Sequence, residues 1–430
     1  MLKEFFIALM IVALTLGAWP LMADEPKEAT ESSEPTEAIK KLAEGNSAFA
    51  LDLYGQLAKP EGNLFFSPLS LSAVLALAHQ GAKGETQSQL EKTLRFPKDA
   101  AEPPAQTMAE LAQYLAKKAT GAGKDSSQDK AGQNNEKSSD QKTVDFSLAN
   151  SLWPKLGLQL RPEYLKGLGE KPPIFELDYV NDGDGAKTKI NDWISENTNG
   201  KIENFLDSPP PANSTLILVN AVYFLGQWTK SFDPKKTIEQ EFALGDGQKV
   251  KVPFLNQTDS WNYLAAEGAQ ILELPYGNGD YSFLMLLPED KPGALLELEK
   301  KLTLENLNNW RENLKKERVK VSIPKFKTTW GANSLTQPLV ELGLIAPFQP
   351  RADFSGFALD NQTVISDILQ KAFVSLDESG TEAAAASAII SRTSIDLTPR
   401  LLADRPFIFL IQEKSTNSIL FLGRLADPRS

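Results

Sequence analysis

The 430-residue sequence contains no cysteine and a single histidine, His79. The absence of cysteine excludes disulfides, thiolate catalysis, iron–sulfur clusters and cysteine-ligated zinc. With one imidazole, no site with two histidine ligands can form, and any Ser-His-Asp triad would have to use His79. Because no G-x-S-x-G nucleophile elbow accompanies it, we interpret His79 as a structural residue at the end of a helix. An enzyme with His79 as its base is the weaker alternative.

An excess of positive charge is also missing, since 45 basic and 56 acidic residues give a formal net charge of −11. We therefore expect no binding to nucleic acid and none to an anionic membrane surface. Short site motifs are incomplete: GAKGET at 81–86 lacks the phosphate-loop spacing, and GNG at 277–279 lacks the third glycine of a dinucleotide site. We expect neither a cofactor nor a metal.

Long apolar runs are absent except at the start of the chain. Residues 5–16 are apolar, Lys3 precedes them and the small Ala23 follows them, which is the layout of a secretory signal peptide. We predict a signal peptide at 1–23, secretion to an extracellular or periplasmic space, and no membrane contact after its removal. An uncleaved anchor is the alternative, although the run is short for a membrane span.

Two segments are nearly devoid of large apolar side chains. Residues 24–37 are acidic and rich in serine and proline. Residues 119–143 are mostly polar, and the few apolar side chains among them are small. Neither can bury enough surface to offset the entropy lost on ordering. We predict a disordered leader at 24–37 and a disordered surface insertion at about 119–143.

Helical spacing of apolar residues dominates the first third of the chain, as in 46–58 and 69–79, whereas the second half contains short runs of branched and aromatic residues. These predicted strands are 214–224, 281–288, 318–326, 372–376 and 418–425. Regular alternation of strands and helices is missing, and so are repeats. The pattern predicts an α+β fold with largely antiparallel sheets.

The segment that begins at Glu378 combines features that rarely coexist. Gly380 is followed by Thr381, Glu382, four alanines and Ser387, and predicted strands lie on both sides. An alanine-rich helical turn is the simplest interpretation. However, small side chains at alternate positions would also let an exposed connection enter a sheet as a new strand, with Gly380 as the pivot.

The sequence resembles the serpin family from about Asn46 to Pro428, because a series of motifs occurs in the same order as in that family. The motifs are NLFFSPLSLSAVLAL, GAKGET, NDWISENTNGKI, LVNAVYFLGQW, IPKF, ADFSG, DESGTEAAAAS, ADRPFIFLI and FLGRLADP. The resemblance implies one domain, 38–430, with three β-sheets, about nine helices and an exposed reactive-centre loop. It replaces the two or three domains that length alone suggests.

The resemblance also implies a function, that of an inhibitor of serine-type endopeptidases rather than an enzyme. The protease would cleave the loop within 380–400, and the loop would insert into the central sheet and trap the acyl-enzyme as a covalent 1:1 complex. Insertion of residues 381–394 would move the tethered end by about 46 Å. We expect a monomer. A non-inhibitory serpin that acts as a binding or chaperone protein is the alternative.

Site residues follow from the resemblance by motif position. The hinge comprises Glu378, Gly380, Thr381, Glu382, Ala383, Ala384, Ala385, Ala386 and Ser387; sheet opening would be controlled by Ser67, Ser70, Asn220, Gln370, Trp228 and Lys325. Gln370 stands where the family usually has a histidine, so we expect no imidazole pH response there. A Lys325–Glu378 ion pair would hold the loop back.

The cleaved bond is left open between two positions. Distance from Gly380 favours Ser394-Ile395, which would suit an elastase-like protease, whereas Arg392-Thr393 would suit a trypsin-like protease with an acidic specificity pocket.

Overall fold

The computed structural model describes residues 34–120, 144–168, 173–360, 362–380 and 397–429. The predicted signal peptide lies outside these ranges, as do most of the predicted leader and insertion. Residues 37 and 119–120, which the sequence assigned to the leader and the insertion, lie in helices. A helix begins at Glu37, because Thr36 Oγ1 accepts a hydrogen bond from the Ile39 amide (3.3 Å) and caps it, and another extends to Thr120.

The described residues form nine α-helices and thirteen strands. The helices are α1 (Glu37–Leu57), α2 (Pro68–Gly81), α3 (Gly84–Thr93), α4 (Pro104–Thr120), α5 (Pro162–Gly167), α6 (Gly183–Asn197), α7 (Ala294–Lys301), α8 (Leu304–Asn313) and α9 (Thr336–Glu341). The strands are β1 (Leu64–Phe66), β2 (Val144–Pro154), β3 (Leu216–Gly226), β4 (Ile238–Ala243), β5 (Lys249–Ala266), β6 (Ala269–Tyr276), β7 (Tyr281–Pro288), β8 (Lys315–Pro324), β9 (Phe326–Ser334), β10 (Ile365–Leu376), β11 (Arg400–Leu402), β12 (Phe407–Glu413) and β13 (Ser418–Leu425).

Four strands form the central sheet, in the order β2-β3-β10-β9. Strands β2 and β3 are antiparallel, as are β10 and β9, whereas β3 and β10 in the middle run parallel. Parallel neighbours need a long crossover connection, and here it spans 227–364. The centre of this sheet therefore differs from the antiparallel pairing on either side.

The other nine strands form a larger sheet, β1-β13-β12-β7-β6-β5-β8-β11, with β4 also paired to β5. The long strand β5 joins two lobes, because its residues 262–266 pair with β6 while its earlier part pairs with β4 and β8. The resemblance implied three sheets, whereas hydrogen bonding joins the described strands into two, because β5 continues from one lobe into the other. The predicted α+β class is confirmed.

Two apolar cores flank the central sheet. On its inner face, α1, α2 and α4 pack with the larger sheet around residues such as Phe65, Phe224 and Phe409. On its outer face, α6 packs through Ile190 and Ile194 in a smaller core. No helix in the described ranges combines the length and the apolarity that a membrane span requires.

The two ends of the described chain meet at β1 and β13. Leu64 pairs with Arg424, and Arg424 also donates hydrogen bonds to the carbonyl oxygens of Ala58, Pro60 and Gly62 and to Glu299 Oε1. The buried guanidinium thus has four acceptors that fix the connection between α1 and β1.

Candidate functional site

The central sheet is separated at one end. The ladder between β3 and β10 ends at Tyr223 and Phe373, although β3 continues to Gly226 and β10 to Leu376. Over these last residues β3 is still paired with β2, and β10 with β9. Each half of the sheet therefore stays intact while the two halves part at this end.

A tight turn at Asp377–Gly380 follows β10 at this separated end. The Asp377 amide donates to the Gly380 carbonyl (3.0 Å), and the Gly380 amide donates back (3.3 Å). The turn reverses the chain, and Gly380 forms an antiparallel bridge with Gln227, just beyond β3. Gly380 has a φ of +115°, and a Cβ there would lie 2.1 Å from the Gly226 carbonyl oxygen, so only glycine fits.

Trp228 supports this turn from below. Its indole is buried and stacks on Tyr276 with the ring centroids 4.3 Å apart, and its Nε1 donates to the Asp377 carbonyl (2.9 Å). The Trp228 amide donates to the Ser379 carbonyl (2.8 Å). The turn is therefore held by both the backbone and the side chain of Trp228.

Glu378 anchors the same turn through charge. Its carboxylate accepts hydrogen bonds from Lys325 Nζ and from Thr237 Oγ1, both at 2.8 Å, so the predicted ion pair is present. Partial burial acts to raise the pKa of Glu378, but the hydrogen bonds from Lys325, the backbone and Thr237 together lower it below its usual value. The carboxylate is thus held ionised.

A row of amides crosses the inner face of the central sheet. Asn220 on β3 lies opposite both Asn150 on β2 and Gln370 on β10. Gln370 Nε2 donates to Asn220 Oδ1 (2.6 Å), and Asn220 Nδ2 contacts Asn150 Oδ1 and Ser70 Oγ. Gln370 also accepts a hydrogen bond from the Ser67 amide (3.0 Å) and donates to the Ser67 carbonyl (2.9 Å). The row ties the two halves of the sheet to the start of α2.

On the outer face, Lys371 joins β10 to the segment that connects α6 with β3. Its Nζ donates to the carbonyl oxygens of Glu203 (3.0 Å) and Asn204 (2.9 Å). Burial lowers the pKa of Lys371, and the attraction of Asp207 opposes that change. Nearby Phe205 is buried in the outer core, so this segment lies across β3 and β10.

The predicted control residues fall into two groups. Ser67, Ser70, Asn220 and Gln370 meet beneath the sheet; Trp228, Lys325, Glu378 and Gly380 meet at its separated end. The hinge residues 381–387 and both candidate bonds, Arg392-Thr393 and Ser394-Ile395, lie outside the described residues.

The sequence analysis missed three residues that contact the site at the central sheet, namely Asn150, Thr237 and Lys371. Asn150 interrupts a predominantly apolar strand, and that pattern was an available signal. The contacts of Thr237 and Lys371 join positions more than 140 residues apart and left no local signal.

The described contacts of His79 are with neither of these two groups of residues. Its Nε2 lies 3.0 Å from Glu91 Oε1, and its ring packs edge-on against Phe96 at 5.6 Å. The ring therefore contacts a carboxylate and an aromatic side chain rather than a nucleophilic hydroxyl, and this environment fits a structural role.

Comparisons with known proteins agree with this architecture. The sequence model of the family described as Serpin (serine protease inhibitor) matches residues 44–428. Leukocyte elastase inhibitor of Xenopus laevis is 33% identical over 401 residues, which cover 91% of this chain and 100% of that protein. The chain belongs to the serpin family.

Solved structures of proteins with other names share this fold. Human thyroxine-binding globulin complexed with thyroxine has a TM-score of 0.76 and 29% identity, over 91% of this chain and 100% of that one. Uncleaved ovalbumin has a TM-score of 0.74 and 26% identity, over 90% of this chain and 100% of that one. Family membership alone therefore leaves the activity to be argued from the site.

Proposed function

We propose that this serpin inhibits serine-type endopeptidases as a suicide substrate and turns over no substrate of its own. The observation that carries the proposal is the separated end of the central sheet beside the turn at Asp377–Gly380. A strand inserted there from Gly380 would run antiparallel to both β3 and β10 and would replace their parallel ladder with two antiparallel ones.

The inhibitory reaction requires one acyl transfer, from the reactive bond of the loop to the serine of the protease. The serine Oγ of the protease attacks the carbonyl carbon of the reactive bond and its proton passes to the leaving amine. An ester joins protease and inhibitor, and the residue after the bond becomes a free amino terminus. Insertion of the tethered segment before water hydrolyses the ester would trap the covalent 1:1 complex.

The hinge sequence supports insertion. If Thr381 faces the core, Ala383, Ala385 and Ser387 face it as well, and none of them needs a large space among packed side chains. Glu382 then faces solvent. This pattern favours inhibition over a binding or chaperone role, for which the loop would not need to insert.

A matched pair of variants tests the proposal. Thr381→Arg places a charge where the core must close, whereas Glu382→Arg places the same side chain on the solvent face. We expect wild type and Glu382→Arg to form detergent-stable complexes with elastase-like or trypsin-like proteases and to melt at a higher temperature after loop cleavage. Thr381→Arg should be cleaved without forming a complex.

The peptide released on cleavage identifies the bond. Mass spectrometry should show a new amino terminus at Ile395 with an elastase-like protease, or at Thr393 with a trypsin-like one. If wild type is cleaved without complex formation or thermal stabilisation, the non-inhibitory alternative holds. We also propose that the mature protein is secreted, on the basis of its amino-terminal segment, and that it binds its protease as a monomer, because a 1:1 complex needs one copy of the loop.

A further inference from the structure

Positive charge is concentrated in one part of this acidic protein. Residues 315–327 contain six lysine or arginine side chains and one glutamate, in a chain with a formal net charge of −11. Most of the segment forms β8, in the lobe of the larger sheet that also contains β4, β5 and β11. The local charge is thus opposite in sign to that of the whole molecule.

Alternation along β8 places several of these cations on one face. Val319, Val321 and Ile323 are buried, so residues of the opposite parity lie on the other face. That face carries Lys316, Arg318 and Lys320, of which the first two are exposed. On the neighbouring strand, the exposed Arg400 lies directly opposite Lys320. We call Lys316, Arg318, Lys320 and Arg400 the basic face.

Strand β5 adds no opposing charge to this face. The residues opposite Lys316, Arg318 and Lys320 are Asn262, Ser260 and Thr258, which are neutral. Asp259 and Glu317 have the opposite parity on β5 and β8, and Asp259 pairs with Lys230 at 2.9 Å. Arg318 also helps to lower the pKa of Asp259, so this carboxylate offsets part of the local charge. The four grouped cations outnumber it and produce a local positive field at the surface.

The basic segment adjoins both ends of the reactive-centre loop. Arg400 lies three residues after Leu397, where the described chain resumes, and the Lys320 amide donates to the Pro399 carbonyl (2.9 Å). At the other end of the segment, Lys325 binds Glu378 in the turn before the loop. A protease that attacks the loop must therefore approach this part of the surface.

We propose that the basic face is a docking surface for an acidic region of the attacking serine endopeptidase. This inference rests on the proposed function and adds the class of target, a protease with negative charge beside its active site. Long-range attraction of this kind raises association rates by about 10- to 1000-fold and weakens as salt screens it. The later insertion step would not change.

Trypsin offers a test, because anionic and cationic forms share one specificity. All variants carry Ser394→Arg so that trypsin can attack at either candidate bond. One triple variant changes Lys316, Arg318 and Arg400 to Gln; the control triple changes the exposed Lys40, Lys92 and Lys98 to Gln. The parent of both triples is Ser394→Arg, whose added arginine brings the formal net charge from −11 to −10. Removing three basic side chains then gives −13 in both triples.

We expect the parent to inhibit anionic trypsin at least about tenfold faster than cationic trypsin at low salt, and the difference to vanish at high salt. The basic-face triple should lose this preference with an unchanged stoichiometry of inhibition, and the control triple should keep it. Equal effects of the two triples, or no preference in the parent, would overturn the proposal.

Two further outcomes are informative. If heparin accelerates inhibition by the parent but not by the basic-face triple, the face binds a polyanion and the protease-docking proposal is wrong. If the parent forms no detergent-stable complex with either trypsin, and the wild type, which keeps Ser394, forms none with elastase, the proposed function fails, and the docking inference fails with it. A complex that forms at equal rates with both trypsins removes only the docking inference.

Discussion

Gln370 Nε2 lies 2.6 Å from Asn220 Oδ1, and this hydrogen bond joins β10 to β3 beneath the centre of the sheet. Both side chains are fully buried. The bond lies between the two strands that insertion would separate, so opening of the sheet requires that it break.

Replacing Gln370 should weaken the native state. In Gln370→Ala, the Ser67 amide and Asn220 Oδ1 lose buried partners, and we expect the free energy of unfolding to fall by about 2–4 kcal/mol. Denaturant unfolding measures this change. Ser334→Ala, which removes an exposed hydroxyl that contacts Asp367, is the control and should cost less than about 1 kcal/mol. Equal losses would contradict the assigned role.

The same position should determine the pH response of the sheet. A glutamine amide does not titrate between pH 5 and 8, whereas an imidazole does. Gln370→His should therefore introduce a pH dependence in the rate at which a synthetic peptide of residues 381–394 anneals to the sheet. Its midpoint should lie below the ordinary imidazole pKa, because burial disfavours the charged ring. Wild type should show no dependence that originates at Gln370. A wild-type transition that disappears in Gln370→Ala would contradict this prediction.

Loss of the Lys371 ammonium should release the segment between α6 and β3. In Lys371→Met, the carbonyl oxygens of Glu203 and Asn204 lose a charged donor, and we expect native stability to fall by about 1–2 kcal/mol. Thermal unfolding measures the loss. Lys327→Met is the control, because exposed Lys327 contacts only the ring face of Phe373 among its described contacts. An equal loss in the control would refute the assignment.

Glu378 should contribute to the stability of the fold at neutral pH and lose this contribution at acid pH. The pKa of Glu378 is lower in the folded state than in the unfolded state, so the unfolded state binds more protons as the pH falls. The stability that Glu378 contributes is therefore fully present above the ordinary glutamate pKa and is lost as the pH falls below it. At pH 7, Glu378→Gln should cost about 1 kcal/mol, a modest value because Lys325 is partly exposed. Between pH 5 and 3 the variant should lose less stability than wild type. Parallel pH profiles would exclude the effect.

Gly380→Ala should distort the turn beside the sheet. The added Cβ would meet the backbone of Gly226 and Trp228 at a φ of +115°, and we expect a loss of about 1–3 kcal/mol and faster hydrogen exchange of the Trp228 amide. Gly279→Ala is a matched control, since Gly279 also has a positive φ but nothing lies within 4 Å of its Cβ position. The control should leave Trp228 exchange unchanged.

Local patterns predicted the elements better than their connections. Apolar runs located β3, β7 and β13, because burial of a strand leaves a direct record in its sequence. The parallel pairing of β3 with β10 left no such record, since it depends on a crossover of more than a hundred residues. Motif resemblance supplied the partners of Gln370 and Glu378, whereas Lys371 was missed because its acceptors are backbone carbonyls, which any sequence provides.

The pairing of Leu64 with Arg424 joins two segments that the ribosome makes far apart in time. Strand β1, all of whose residues are buried, has its partner strand β13 at the far end of the described chain. Until the ribosome has made the intervening 359 residues, Leu64 has no ladder partner, and contacts of such long range form slowly. A nascent chain that stops before β13 therefore leaves the backbone of β1 without the strand that pairs with it.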